Sequence, residues 1–139
     1  MSYTEEEYTQ FDFNMRERFP KMFSQPFGGF DIGKGWWPII ESLCLTIQSY
    51  IDWQNSSKPG TIEQVVVEQI KEKFGGLRFY YVGGNGTVDG MVQLAEAWAS
   101  NTCESCGSPG ETNGPGWVQT LCKQHTAIKQ QQFNERFNK

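Results

Sequence analysis

The chain has 139 residues, 37% of them hydrophobic and 14% aromatic, which is enough apolar material for one folded domain over 1–139. A formal charge of −4 argues against a dedicated nucleic-acid binder, which needs a basic face. No apolar run approaches the roughly 18 residues of a membrane span. The opening MSYTEEEYTQFDF lacks the basic and apolar regions of a secretory signal, so a soluble, cytoplasmic protein is expected.

Ser2 and Glu5 have capping-box spacing, and Tyr8, Phe11, Met15 and Phe19 recur at helical intervals, so a first helix is expected to end near Pro20. Glycines at 28, 29, 33 and 35 then make an irregular lead-in, within which Asp31 and Lys34 are the candidate functional charges. Pro38 suits the first turn of a second helix carrying Ile40, Leu43, Cys44, Ile47 and Ile51 on one stripe, with its end before NSSKPG. Cys44 on that stripe reads as an inert core thiol. Two adjacent indoles cannot both face one core from regular structure. Packing is therefore the first reading of Trp36 and Trp37, and a surface pocket lined by one of them the second.

The run TIEQVVVEQIKEKFGGLRFYYVGGNG predicts a β-hairpin. Val65, Val66 and Val67 are β-branched, Gly75-Gly76 is a turn signal, and LRFYYV has high strand propensity. Alternation places Leu77, Phe79 and Tyr81 on one face, with Arg78, Tyr80 and Val82 on the other. A helix through 63–74 is the competing assignment. A glycine-rich loop without a Walker ending leads into a short helix expected to turn Val92, Ala95, Trp98 and Ala99 inward.

The C-terminal module, 100–139, carries the strongest signal. Cys103 and Cys106 form C-x-x-C, and after fifteen intervening residues Cys122 and His125 form C-x-x-H with the only histidine. Thiolates and imidazole in two short pairs are what tetrahedral Zn2+ prefers. Gly107 permits the tight turn of a knuckle, and the turn-rich loop, the strand-like WVQTL and a terminal helix then follow treble-clef or zinc-ribbon logic. Two disulfides or free thiols are the alternatives, with C-x-x-C alone open to a redox role, and a cytoplasmic setting disfavours disulfides. A catalytic zinc keeps a position open, whereas Cys3His is full, so a structural ion is expected. The expected fold class is α+β: a small antiparallel hairpin or sheet packed by helices, with this module at its end.

The segments KFGGLRFY, CESCGSPGE and GWVQTLCKQH together resemble a family of small uncharacterised bacteriophage and bacterial proteins. That family is marked by a K-F-G-x-L-R-F-Y strand and a C-x-x-C-G…G-W-x-x-T-L-C-x-x-H tail. The resemblance covers roughly residues 28 to 125. It groups Cys103, Cys106, Cys122 and His125 as one site and marks Phe74, Gly75, Leu77, Arg78, Phe79 and Tyr80 as the shared hairpin. It implies a phage accessory protein acting inside the host, against a host defence factor, and supplies no activity.

Catalysis is disfavoured because the single histidine is spent on the metal and no carboxylate pair stands out by spacing. Binding is the favoured reading. Trp36, Trp37, Arg78 and Tyr80 form the candidate ligand-binding set, since aromatic plates with a guanidinium suit a nucleobase and a phosphate. The bland alternative has the rings in the core and Arg78 paired with Glu68 or Glu72. A host protein or a small nucleotide-like ligand is the expected partner, and exposed rings would make a homodimer unsurprising. The alternatives are a zinc-containing nucleic-acid binder, drawing on Lys123, Lys129, Arg136 and Lys139, and an enzyme using carboxylates on a nucleotide-type substrate.

Overall fold

The structure, a computed structural model, describes residues 2–114 and 116–137. Helix α1 (Glu5–Arg18) begins at Thr4, whose hydroxyl accepts from the Glu7 amide while the Glu7 carboxylate accepts from the Thr4 amide. This capping box lies two residues after the expected one, because the Ser2 hydroxyl instead accepts from the Lys34 amide at 2.8 Å. Phe11, Met15 and Phe19 are buried, as their spacing predicts.

Phe30 and Asp31 form β1, too short for any periodicity to announce. A single 3₁₀ turn, Lys34–Trp36, feeds α2 (Trp37–Ser57), with Pro38 in its first turn and the predicted stripe of Ile40, Leu43, Cys44, Ile47 and Ile51 buried. The helix runs three residues further than expected. Asn55 explains the extension, since its side chain accepts from the Ile62 amide and donates to the Ile62 carbonyl, tying the last turn to the loop that follows. Burial pushes the Cys44 thiol far above its usual range, as suits an inert core residue.

Both Trp36 and Trp37 are buried, as the packing reading expects, and Trp37 also edges an open surface pocket beside Thr4, Glu7 and Phe11. The change from 3₁₀ to α geometry between them sends the two indoles to different neighbours. Trp36 Nε1 donates to the Thr102 carbonyl at 2.8 Å, whereas Trp37 stacks on Phe11 with centroids 4.4 Å apart and planes 4° apart.

Strands β2 (Val66–Lys73) and β3 (Gly76–Val82) form the predicted hairpin, which displaces the helical alternative for 63–74. β1 joins β2 in parallel, giving the sheet order β1-β2-β3. The two-residue turn is Phe74-Gly75, one residue earlier than expected, with φ of +53° and +81°. Leu77 and Phe79 face the core with Tyr81 half-buried beside them, and Arg78, Tyr80 and Val82 face outward, as alternation predicts.

Helix α3 (Gly86–Ala99) is capped by the Asn85 side chain and buries Val88, Val92, Ala95 and Ala99. Trp98 is 48% exposed rather than inward, because it lies one residue, and so about 100° around the helix, from Ala99 on the buried stripe. A short hairpin, β4 (Glu111–Asn113) and β5 (Gln119–Leu121), then leads into α4 (Lys123–Phe137). The fold is thus α+β, with knuckle, hairpin and helix at its C-terminal end. Among the described residues no helix is long and apolar enough to cross a membrane.

Candidate functional site

The knuckle between α3 and β4 supplies Cys103 and Cys106. The residue after β5 supplies Cys122, and the first turn of α4 supplies His125. The knuckle closes with the Gly107 amide donating to the Cys103 carbonyl at 2.8 Å, and Gly107 takes a φ of +86° that favours glycine.

The four ligand atoms lie within 4.8 Å of one another. Cys106 Sγ is 3.8 Å from Cys122 Sγ, and His125 Nδ1 is 3.7 Å from Cys103 Sγ and 3.2 Å from Cys122 Sγ. A tetrahedron with metal–sulfur bonds of about 2.3 Å has S···S edges of about 3.8 Å. The donor set therefore fits one metal ion, with Nδ1 the nitrogen turned toward it. The cysteines are free rather than paired in disulfides. Hydrogen bonds from Ser108 pull the Cys106 thiol down to about 6, which readies a thiolate, while burial pushes Cys103 up.

The glycine-rich lead-in is the dock for this knuckle, a role the sequence did not announce. The Gly35 amide donates to the Glu104 carbonyl at 2.7 Å, and the Gly33 amide donates to the Glu104 carboxylate at 2.9 Å. A Cβ on Gly35 would stand 2.1 Å from the Cys103 carbonyl oxygen, so the approach requires glycine. Docking covers Glu104, and that burial pushes its carboxyl up to about 7 despite the opposing Gly33 bond. From the far side the Thr120 hydroxyl donates to the Gly75 carbonyl at 2.6 Å, joining the metal end to the tip of the β2–β3 hairpin.

The expected charges are arranged differently. Lys34 pairs with Glu7 rather than standing free beside Asp31. Lys129, only 4% exposed, turns inward, donates to the Trp117 carbonyl and sits 4.7 Å from the Trp117 ring centroid. The guanidinium of Arg136 lies over Phe137, and Lys139 lies outside the described residues. The C-terminal helix therefore does not present Lys129 on a basic face.

Of the candidate ligand-binding set, Arg78 and Tyr80 share the outer sheet face, while Trp36 and Trp37 pack in the core behind it. Arg78 sits opposite Lys71 in the register rather than against Glu68 or Glu72, and Glu72 instead accepts from the Gly75 amide. Tyr80, Lys71 and Lys73 line an open groove of about 860 Å³ whose other wall is built from Tyr3, Tyr8 and Gly28. The two lysines were passed over because strand periodicity marks them only as solvent-facing.

Comparison with family models, with curated proteins and with solved structures finds no match for this chain.

Proposed function

We propose that the protein is a non-catalytic binding module whose C-terminal end is held by one structural Zn2+. In this reading the ligand-facing surface is the outer face of the β2–β3 hairpin, centred on Arg78 and Tyr80. The observation that carries it is the closed set of four: Cys103, Cys106, Cys122 and His125 converge with no position left for water or substrate. Three thiolates with one imidazole select zinc over hard cations such as magnesium or calcium. The only histidine is used as a ligand, which removes the commonest general base.

A guanidinium suits a phosphate and an exposed phenol ring suits a nucleobase, so a nucleotide-like ligand fits the surface. Trp36 and Trp37 act in packing. On the strength of the resemblance, the ligand is a host factor or a nucleotide-derived host signal met in the cytoplasm.

Native mass spectrometry of protein purified without added metal, before and after incubation with host-cell lysate, tests this directly. One zinc per chain and a retained nucleotide-sized mass, lost in Arg78→Ala, are expected. A metal-free spectrum with cysteine pairs two mass units light would overturn the zinc assignment. One zinc with no added mass would remove the small-ligand reading in favour of a protein partner.

A further inference from the structure

Three positive side chains gather on one sheet face of an acidic protein. Arg78 lies directly across from Lys71, and Lys73 sits two residues along β2 on the same face, opposite Gly76. Like charges opposed on neighbouring strands weaken a sheet. Among the described residues the ion pairs are Arg16–Asp12, Arg18–Glu41 and Lys34–Glu7, so none of the three cations has a carboxylate within bridging distance. Asp31 and Glu68 line the same groove without closing on them. The Arg78 guanidinium reaches only the Leu77 carbonyl, at 3.3 Å.

The turn of this hairpin is as unusual as its charge. Phe74 holds a φ of +53°, a left-handed conformation that strains a bulky side chain, where Asn would sit with less cost. Burial does not offset the strain, since Phe74 is 77% exposed. The turn is nonetheless fixed: the Glu72 carboxylate accepts from the Gly75 amide at 2.6 Å, and the Thr120 hydroxyl holds the Gly75 carbonyl. Strain kept at a rigid, exposed position points to a displayed side chain. The Lys73 ammonium lies 5.9 Å from the Phe74 ring centroid, which places ring and charge together.

We infer that this face binds a short single-stranded nucleic acid, with phosphates on Lys71, Lys73 and Arg78 and bases stacked on Tyr80 and Phe74. The inference rests on the proposal that the face takes a nucleotide-like ligand, and extends that ligand from one nucleotide to a strand. Length is the reason. Gly76 to Tyr80 covers four steps along β3, about 13 Å at about 3.3 Å per step, against a stacked-base repeat of about 3.4 Å. One nucleotide cannot reach both rings, whereas a strand of several can. Ring stacking needs open base faces, which a duplex withholds. Three cations in a chain of net charge −4 limit the tract to a few phosphates.

Fluorescence anisotropy on the zinc-loaded full chain tests it, with labelled dT oligonucleotides from dinucleotide to dodecanucleotide, a labelled mononucleotide, and a dT·dA duplex. Affinity should rise from mononucleotide to about a hexanucleotide and then level off. Tyr80→Ala and Phe74→Ala should each weaken oligonucleotide binding about tenfold or more, with metal content and circular dichroism unchanged. Lys71→Ala and Lys73→Ala should each lower the salt slope by about 0.7. A mononucleotide bound as tightly as any oligonucleotide would overturn the strand and leave the nucleotide reading standing. Binding of neither form would remove both. Duplex bound as well as single strand, with the two ring variants unaffected, would overturn base stacking.

Discussion

The body of the molecule and its C-terminal end hold their shapes by different means. The body buries Met15, Met22, Phe30, Trp36, Ile40, Ile47, Ile70 and Leu77 in one continuous cluster, and the removal of that apolar surface from water stabilises it. Among the described residues, the hydrophobic cluster of the end is Cys103, Leu121 and Cys122, two of which belong to the candidate metal set. Such a cluster is too small to offset the entropy of ordering this end of the chain, and the four donors that could hold a metal ion are the other source of order there. The lesson is that one chain can divide its stability between burial and coordination, provided that the two parts share contacts. Here they share Trp36 with Thr102, Gly35 with Glu104, and Thr120 with Gly75.

Metal removal should break the comparison open most widely, since structural zinc contributes about 10–16 kcal/mol to small modules. A chelator, or Cys122→Ser, should collapse the amide NMR dispersion of the segment after Thr102 while α2 and the β2–β3 hairpin keep theirs. Simultaneous collapse of both regions would show them to be one cooperative unit. Gly35→Ala comes next: its Cβ would meet backbone at 2.1 and 2.5 Å, and relieving such overpacking costs about 1–3 kcal/mol. Denaturant unfolding should show that loss, with weakened metal retention, because the body is forced away from the knuckle.

Smaller and opposite in sign, Phe74→Asn should stabilise the protein by about 1 kcal/mol by relieving the left-handed turn. The same denaturant series reads it out. The least effect belongs to Tyr81, whose pKa is pushed up to about 12 by burial and by the Asp89 carboxylate beside it. The folded chain then holds this proton more tightly than the unfolded one, where tyrosine ionises near about 10. Stability should therefore fall as pH rises through that window, more steeply than in Tyr81→Phe, and the slopes of unfolding free energy against pH measure the difference.

Much of this molecule is legible in its sequence where a pattern spans many residues. The stripe of α2, the alternation of β3 and the two cysteine-containing pairs all repeat at intervals set by helix, strand or coordination geometry. What escaped is set by single contacts. The indoles at 36 and 37 pack as the first reading has it, but the change of helix type that sends them to different neighbours is encoded by no periodicity. Gly33 and Gly35 read as loop, yet their amides donate to the distant Glu104, which only the folded chain brings near. Phe74 entered the turn in place of Gly76 because Gly76 is needed to pair with Lys73. Thr4 displaced Ser2 as helix cap once Ser2 was drawn to Lys34. The metal set was readable because its ligands come in short local pairs. The outer face of the sheet was only half readable, since the pairing of Lys71 with Arg78 depends on register.

One contact at the rim of the sheet bears on how copies of the protein meet. The Phe79 amide on β3 donates to the Glu96 carboxylate of α3 at 3.2 Å. A strand arriving to extend the sheet along β3 would find that amide engaged and a negative charge in its path, the kind of guard that keeps edge strands from recruiting others. Crowded copies are thereby steered away from strand-to-strand growth, and the hairpin can show its charged and aromatic face without becoming a seed for fibres.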